Sequence, residues 1–344
     1  MLTVVYFKLR SYFIPASVVL LVISLMATSY SKANAAEKEK YPSKPITFVV
    51  PTGPGGTTDR LARGLVQFMV KDIGQPLLIV NKPGAGSFIG HDYFFRQPAD
   101  GYTFMITTAH PHLSNNILLL GAKFTHDDFD YVNVIWRDKT GLYMSNKKPW
   151  KTMSELIKNI KAEPGKRSMT AAYVSSGHIA MLAMLDALGL PNNAVRMVHY
   201  DSGAENRTPV MGGIVDFTVT QVEGMDPYKE FLTPLTIWED QRDPELKDVP
   251  TIHEVLSEFK TDCPNIVGSL RTFVAHAQFK KKFPDRYDFI QKALKRTLEQ
   301  KDFVSWCENQ NIGHDWFGPE KSAKLIRDNF EVLKKYRHLF EVKK

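Results

Sequence analysis

The chain has 344 residues, a formal charge of +7 and 43% hydrophobic residues, which is ample for a packed core. Its length exceeds what one hydrophobic core usually serves, so two lobes are expected. No dense Lys/Arg stripe accompanies the mild positive charge, since Lys280-Lys281-Lys282 and Lys334-Lys335 read as solvated helix ends, and nucleic acid is therefore not expected as a partner.

The first 35 residues read as a cleavable export signal. Lys8 and Arg10 precede an apolar stretch from Tyr12 to Ala27, and Ala33-Asn34-Ala35 supplies a small-residue cleavage site. The apolar run is short for a membrane span, which needs about 20 residues. Export predicts a periplasmic location. Removing residues 1–35 takes away Lys8, Arg10 and Lys32 and no acid, so the balance of 44 cations against 37 anions becomes 41 against 37, or +4.

Beyond the signal, strands and helical stretches alternate. Ile46–Val50, Leu77–Val80 and Tyr102–Thr107 read as short buried strands, and Ser168–Ala172, Val195–Val198 and Ile214–Val219 form a second set. The pattern predicts an α/β protein of two lobes, each an open, mostly parallel sheet flanked by helices, with lobe 1 over 41–140 plus 266–344 and lobe 2 over 141–265. Apolar periodicity over Tyr287–Leu298 and Ala323–Leu339 predicts helices that pack back on the first lobe. Cys263 and Cys307 form a disulfide only if the fold brings their Cα atoms within about 4.4–6.8 Å, which spacing alone does not decide.

Three loops of the first lobe follow strand ends. Pro51-Thr52-Gly53-Pro54-Gly55-Gly56-Thr57-Thr58-Asp59 is a glycine turn running into a helix with Leu61, Leu65, Phe68 and Met69 on one face. Free amides at a helix start sit at the positive end of its dipole and favour an anion. The loops Asn81–Ser87 and Thr107–His110 are expected on the same rim, because ligands bind outside the carboxyl ends of strands in open α/β sheets. Asp100-Gly101 lies at the opposite end and reads as a structural turn.

These motifs occur in a specific order. Tyr41-Pro42-Ser43-Lys44-Pro45-Ile46, Gly55-Gly56-Thr57-Thr58-Asp59 with Ala62-Arg63, Asn81-Lys82-Pro83-Gly84-Ala85-Gly86 with Ile89-Gly90, and Asp100-Gly101-Tyr102-Thr103 come first. Ser175, His178, Val198-His199-Tyr200-Asp201-Ser202-Gly203-Ala204-Glu205, Gly212-Gly213, Asp248-Val249-Pro250-Thr251 and Glu254 follow. The series resembles the substrate-binding proteins of tripartite tricarboxylate transporters, the TctC or Bug type, over nearly all of the chain after the signal.

The resemblance implies a type II periplasmic binding protein of the Venus-flytrap kind that closes on a small organic carboxylate and delivers it to integral membrane transporter subunits. It implies a monomer without cofactor or metal. Carried onto this chain, it points to Thr52, Thr57, Thr58, Asp59, Gly86, Ser87, Thr107 and Thr108 in the first lobe and to Ser175, His178, Tyr200, Ser202 and Gly203 in the second. Hydroxyls and amides donate to an anion without any shifted pKa. Asp59 would repel a carboxylate, which favours a role in fixing its loop or stabilising the helix start. His178 reads equally as a packed residue or a contact.

The chain departs from the family pattern at Ala172 and Val174, where glycines are usual, at Val80, and over Gln221–Asp226, so the ligand stays open. Enzyme chemistry is not expected: Gly-x-Ser-x-Gly is absent, the glycine loop lacks a Gly-Lys-Ser/Thr ending, and His110, His112 and His126 do not make a tight metal motif. Presentation of the ligand to a sensor instead of a transporter would need the same ligand-dependent closure.

Overall fold

The computed structural model describes residues 40–200, 203–223 and 225–339; the export signal and Ser202 lie outside them. From Lys44 onward the chain forms one compact unit. Among the described residues no helix is long and apolar enough to cross a membrane.

Two five-stranded sheets carry the fold. The first contains β1 (Ile46–Val50), β2 (Leu77–Asn81), β3 (Thr103–His110), β4 (Phe129–Arg137) and β10 (Leu270–His276), in the order β2-β1-β3-β10-β4. The second contains β5 (Thr140–Ser145), β6 (Arg167–Thr170), β7 (Val195–Val198), β8 (Phe217–Gln221) and β9 (Leu232–Ile237), in the order β7-β6-β8-β5-β9. In the first, β1 pairs in parallel with β2 and β3, with Val49 opposite Val80 and Phe48 opposite Phe104, while β10 runs antiparallel to β3 and β4. In the second, β6 is parallel to β7 and β8, while β5 is antiparallel to β8 and β9. Each sheet is thus mostly parallel with one reversed strand, and each reversed strand follows a passage of the chain from the other sheet.

Central strands buried on both faces read as continuous apolar runs, and β1 and β3 do. Phe48 is fully buried between edge-on Phe104 and Phe273, at ring distances of 6.4 and 5.3 Å. Helix α1 (Thr57–Ile73) lays Leu61, Leu65 and Met69 into the core and stops at Gly74, whose left-handed φ of 68° lets its amide bond to Val70 O. Helix α2 (Phe88–Phe95) approaches β1 through Gly90, where a Cβ would stand 2.6 Å from Pro51 Cα.

The remaining helices are α3 (His112–Leu119), α4 (Met153–Ala162), α5 (Ser176–Ala187), α6 (Gly203–Met211), α7 (Ile252–Ser257), α8 (Ala277–Lys282), α9 (Pro284–Glu299), α10 (Lys301–Gln310) and α11 (Gly318–Tyr336). Helix α11 joins both cores. Ile326 lies in the apolar cluster of the first sheet, whereas Leu333 and Tyr336 lie in that of the second. The α11 start is capped from a distance by buried Asn133, whose Oδ1 accepts the Phe317 and Gly318 amides at 2.8 and 2.9 Å. Packing back on the first lobe therefore describes only the front of this helix. Cys263 and Cys307 are both buried free thiols.

Candidate functional site

The three first-lobe loops do meet. Asn81 Nδ2 donates to Thr52 O at 3.0 Å and to Asp59 Oδ1 at 2.9 Å, which ties the loop after β2 to the loop after β1. Thr58 Oγ1 and Thr108 Oγ1 are 3.5 Å apart, and Asn116 Nδ2 donates to Gly86 O at 3.1 Å. Thr107 faces the other side of β3, where its hydroxyl meets His91 Nε2 at 2.8 Å. Ala85, Gly86 and Ser87 are left-handed at φ 47°, 60° and 73°, so this loop is a tight turn held on α3.

Asp59 is fully buried, and its carboxylate is already surrounded by donors. It accepts the Gly55 amide at 2.8 Å, Arg63 Nε at 2.8 Å and Nη2 at 3.2 Å, besides Asn81. Burial pushes its pKa up, but the hydrogen bonds from Arg63, Gly55 and Asn81 outweigh that and hold it below the usual carboxylate range. This geometry makes Asp59 the peg that fixes the glycine loop. Thr57 opens α1 and is half-buried, and Thr52 Oγ1 is buried without a partner.

A cavity of about 200 Å³ lies where β6 runs into α5 and where α3 begins. Pro111, His112 and Asn115 line it from α3 and the turn before it. Opposite them stands the loop from Ala171 to Gly177, with Val219, Thr220 and Gln221 of β8, Thr140, Asn206, and Gly268-Ser269 before β10. Ser175 caps α5, accepting the His178 amide at 3.3 Å. Asn115 Nδ2 donates to Val174 O at 3.2 Å, so the two helix starts are within one side chain of each other. Gly177 makes that approach possible on the β8 side, since a Cβ there would stand 2.0 Å from Val219 O.

Among the described lining residues none is an Asp, Glu, Lys or Arg. The hydroxyls of Ser176 and Thr140 are buried without partners. A buried polar group left unpaired costs about 1–3 kcal/mol, so these groups reward an incoming molecule that bonds to them. On the wall itself Gln221 Nε2 donates to Ser269 Oγ at 3.3 Å, and outside the lining Arg271 Nη1 reaches both oxygens of Asp138 at 2.8 Å. The Asp138 carboxylate is thus engaged by Arg271.

Of the residues expected at the site, Ser175 lines this cavity; Thr52, Thr57, Thr58, Asp59, Gly86, Ser87 and Thr108 lie on the first-lobe loops that meet one another outside its lining, and Thr107 points away to His91. His178 is buried one turn into α5, where its Nδ1 accepts the Val174 amide at 3.2 Å, and burial with the nearby His199 pushes its pKa down to about 3. It orders the loop. Tyr200 O accepts Asn206 Nδ2 at 3.1 Å, and Gly203 begins α6. His112, Asn115, Thr140 and Ser269 were not among the expected residues, although His112-x-x-Asn115 directly after a strand end was a visible signal.

The sequence pattern of the tripartite tricarboxylate transporter family receptor, TctC, matches residues 61–336. The chain belongs to this family. Two Bordetella pertussis proteins are similar. One, a UPF0065 protein, is 34% identical over 164 residues (46% of this chain and 49% of that one), and the other, BugT, is 27% identical over 244 residues (69% and 73%). The match therefore spans about half the length of the first relative. A TctC solute-binding protein from Polaromonas has the same fold, with a TM-score of 0.73 at 24% identity over 87% of this chain and 99% of that one. So does MatC from Rhodopseudomonas palustris, solved with bound malate, at a TM-score of 0.64 and 22% identity over 88% and 100%. A further R. palustris protein of this fold was solved with adipate, at a TM-score of 0.64 and 23% identity over 86% and 98%. In the loop before α5, Val174 holds a left-handed φ of 52°, a conformation that glycine adopts freely and a β-branched residue rarely does.

Proposed function

We propose that this chain is a periplasmic solute-binding receptor that captures a small organic carboxylate and delivers it to the membrane subunits of a tripartite transporter. The observation that carries the reading is the cavity between the starts of α3 and α5. It offers backbone amides, the Ser175, Ser176 and Thr140 hydroxyls and the Gln221 and Ser269 side chains, with no acid among the described lining residues to repel an anion. An anion is favoured at helix N-termini by their free amides and dipole. A volume of about 200 Å³ equals about seven waters at ~30 Å³ each, which suits a small acid and not a large metabolite.

In this reading the lobes built on the two sheets close on the ligand, Ser175 and its neighbours hold the carboxylate, and the Thr57–Thr58 and Gly86–Ser87 rim forms the adjoining wall. Selection of the rest of the ligand is assigned to Tyr200, Ser202 and Gly203. The receptor binds and releases without chemistry. A thermal-shift panel of malate, glutarate, adipate and benzoate tests this, because a true ligand at a hundred times its dissociation constant stabilises by ~2.7 kcal/mol. The bound acid should be recovered unchanged. If all four acids leave the melting curve in place, or if the acid is converted, the reading fails. Intact mass of the periplasmic fraction should show loss of the segment ending near Ala35.

A further inference from the structure

We infer that His112 is a ligand-binding residue that takes up a proton when the carboxylate binds, which makes capture stronger in mildly acidic surroundings. The inference rests on the carboxylate reading above and adds the titrating group to it. His112 is the first residue of α3, lines the cavity opposite Ser175–Gly177, and is exposed there. No hydrogen bond holds either of its ring nitrogens among the described residues. In this it differs from His91, bonded to Thr107 and Asn116, from His178, bonded to the Val174 amide, and from His199, whose Nδ1 meets Ala171 O, while His110, whose Nδ1 also lacks a partner, is buried and does not line the cavity. One nitrogen can therefore donate to a ligand oxygen while the other accepts a proton from solvent.

The charges that face His112 fix the direction. Although its ring opens to the cavity, the enclosing protein atoms and then the Arg271 guanidinium push its pKa down to about 4, so it is neutral before ligand arrives. Asp138 is committed to Arg271 and gives His112 little compensation. His91 and His110 are each pushed to about 3, mainly by burial, and His178 to about 3 likewise, so none of them competes for the proton near neutrality. Tyr173 also lines the cavity, with its ring against those of His178 and His199. A carboxylate placed within about 4–6 Å raises a histidine by about 1–3 pH units. Binding and protonation then support each other. A bound value of about 6.5 would make affinity at about pH 6 about fourfold higher than at about pH 8, with the gain fading as pH rises.

The test uses the tightest binder among malate, glutarate, adipate and benzoate, titrated calorimetrically at about pH 6 and about pH 8 in two buffers of different ionisation enthalpy, with the proton released by the free acid itself measured and subtracted. Wild type should take up a measurable fraction of a proton at the lower pH and almost none at the higher. His112→Gln, which keeps a donor but cannot titrate, should bind with no uptake and a flat pH profile. Glu223, which titrates near 7 in a separate cavity with Lys139 and Tyr143, remains in the variant, so the difference between the two proteins isolates His112. Binding by wild type without proton uptake, or equal uptake by His112→Gln, overturns the inference and leaves the carboxylate reading standing. If none of the four acids binds, both fall together.

Discussion

Gly177 is the point at which the second lobe is most sensitive to a single methyl group. A Cβ at this position would lie 2.0 Å from Val219 O and 2.7 Å from its carbonyl carbon. Both are backbone atoms of β8, which is paired on both edges, with β6 and β5. An ordinary carbon-to-oxygen contact is more than an ångström longer, so relief in Gly177→Ala requires α5 to move off the sheet. Overpacking of this kind costs about 1–3 kcal/mol, and the upper end applies because rigid backbone must yield. Alanine returns about 1 kcal/mol through its better helix propensity. The net expectation is a loss of about 2 kcal/mol in urea unfolding. Because the shift carries Ser175 and Ser176 away from Asn115, carboxylate affinity should fall at least tenfold. Gly53→Ala serves as the control, since nothing lies within 4 Å of its added Cβ and its φ is not positive, so stability and binding should hold. If Gly177→Ala unfolds at the same urea concentration as wild type and binds equally well, the helix start is not fixed by β8 as argued.

Other residues give independent tests. Asp59→Ala should cost about 2–3 kcal/mol in chemical denaturation, because it strands the Arg63, Asn81 and Gly55 donors of a buried carboxylate. The lowered pKa of Asp59 also means that its contribution is present above the unfolded value of about 3.9 and is lost as pH falls through the folded value, so acid unfolding of Asp59→Ala should be shallower than that of wild type. Glu223 shows the opposite sign: burial and then the neighbouring Asp138 push it up to about 7, so the folded state holds the extra proton and stability falls as pH rises from the unfolded value of about 4.3 toward 7. Glu223→Gln should remove that slope and raise the melting temperature at about pH 8; an unchanged slope would refute the assignment. Cys263 and Cys307, both buried and both pushed up to about 12, chiefly by burial, should resist a thiol reagent in the native protein and react in denaturant, whereas a mass lower by one disulfide would contradict the fold.

What the sequence revealed follows from where apolar and conformational signals are local. The parallel strands β1, β2, β3, β6 and β7 were readable as short apolar or β-branched runs set off by glycine and proline turns, with β1 and β3 buried on both faces and β2 and β7 partly exposed at the edges, and their observed limits differ from the expected ones mainly at the ends. The strand expected at Ile214–Val219 begins instead at Phe217, because Gly213, at φ 75°, and the residues after it turn the chain out of α6 before pairing begins. The reversed strands β5 and β10 were not singled out. Their neighbours come from distant parts of the chain, so pairing, not local pattern, defines them. The same distinction governs the site. The glycine loop announced Asp59 and the threonine rim, because capping and turning are local acts. The cavity draws on Asn115, Thr140, Val174 and Ser269, and nothing in any one of these segments shows that the others face it. Its decisive contact, Asn115 to Val174, spans 59 residues and exists only because Gly177 lets α5 settle on β8 and because the valine accepts a backbone shape usually left to glycine. Val174 leaves the loop that meets α3 with less conformational freedom than a glycine would at the same φ of 52°.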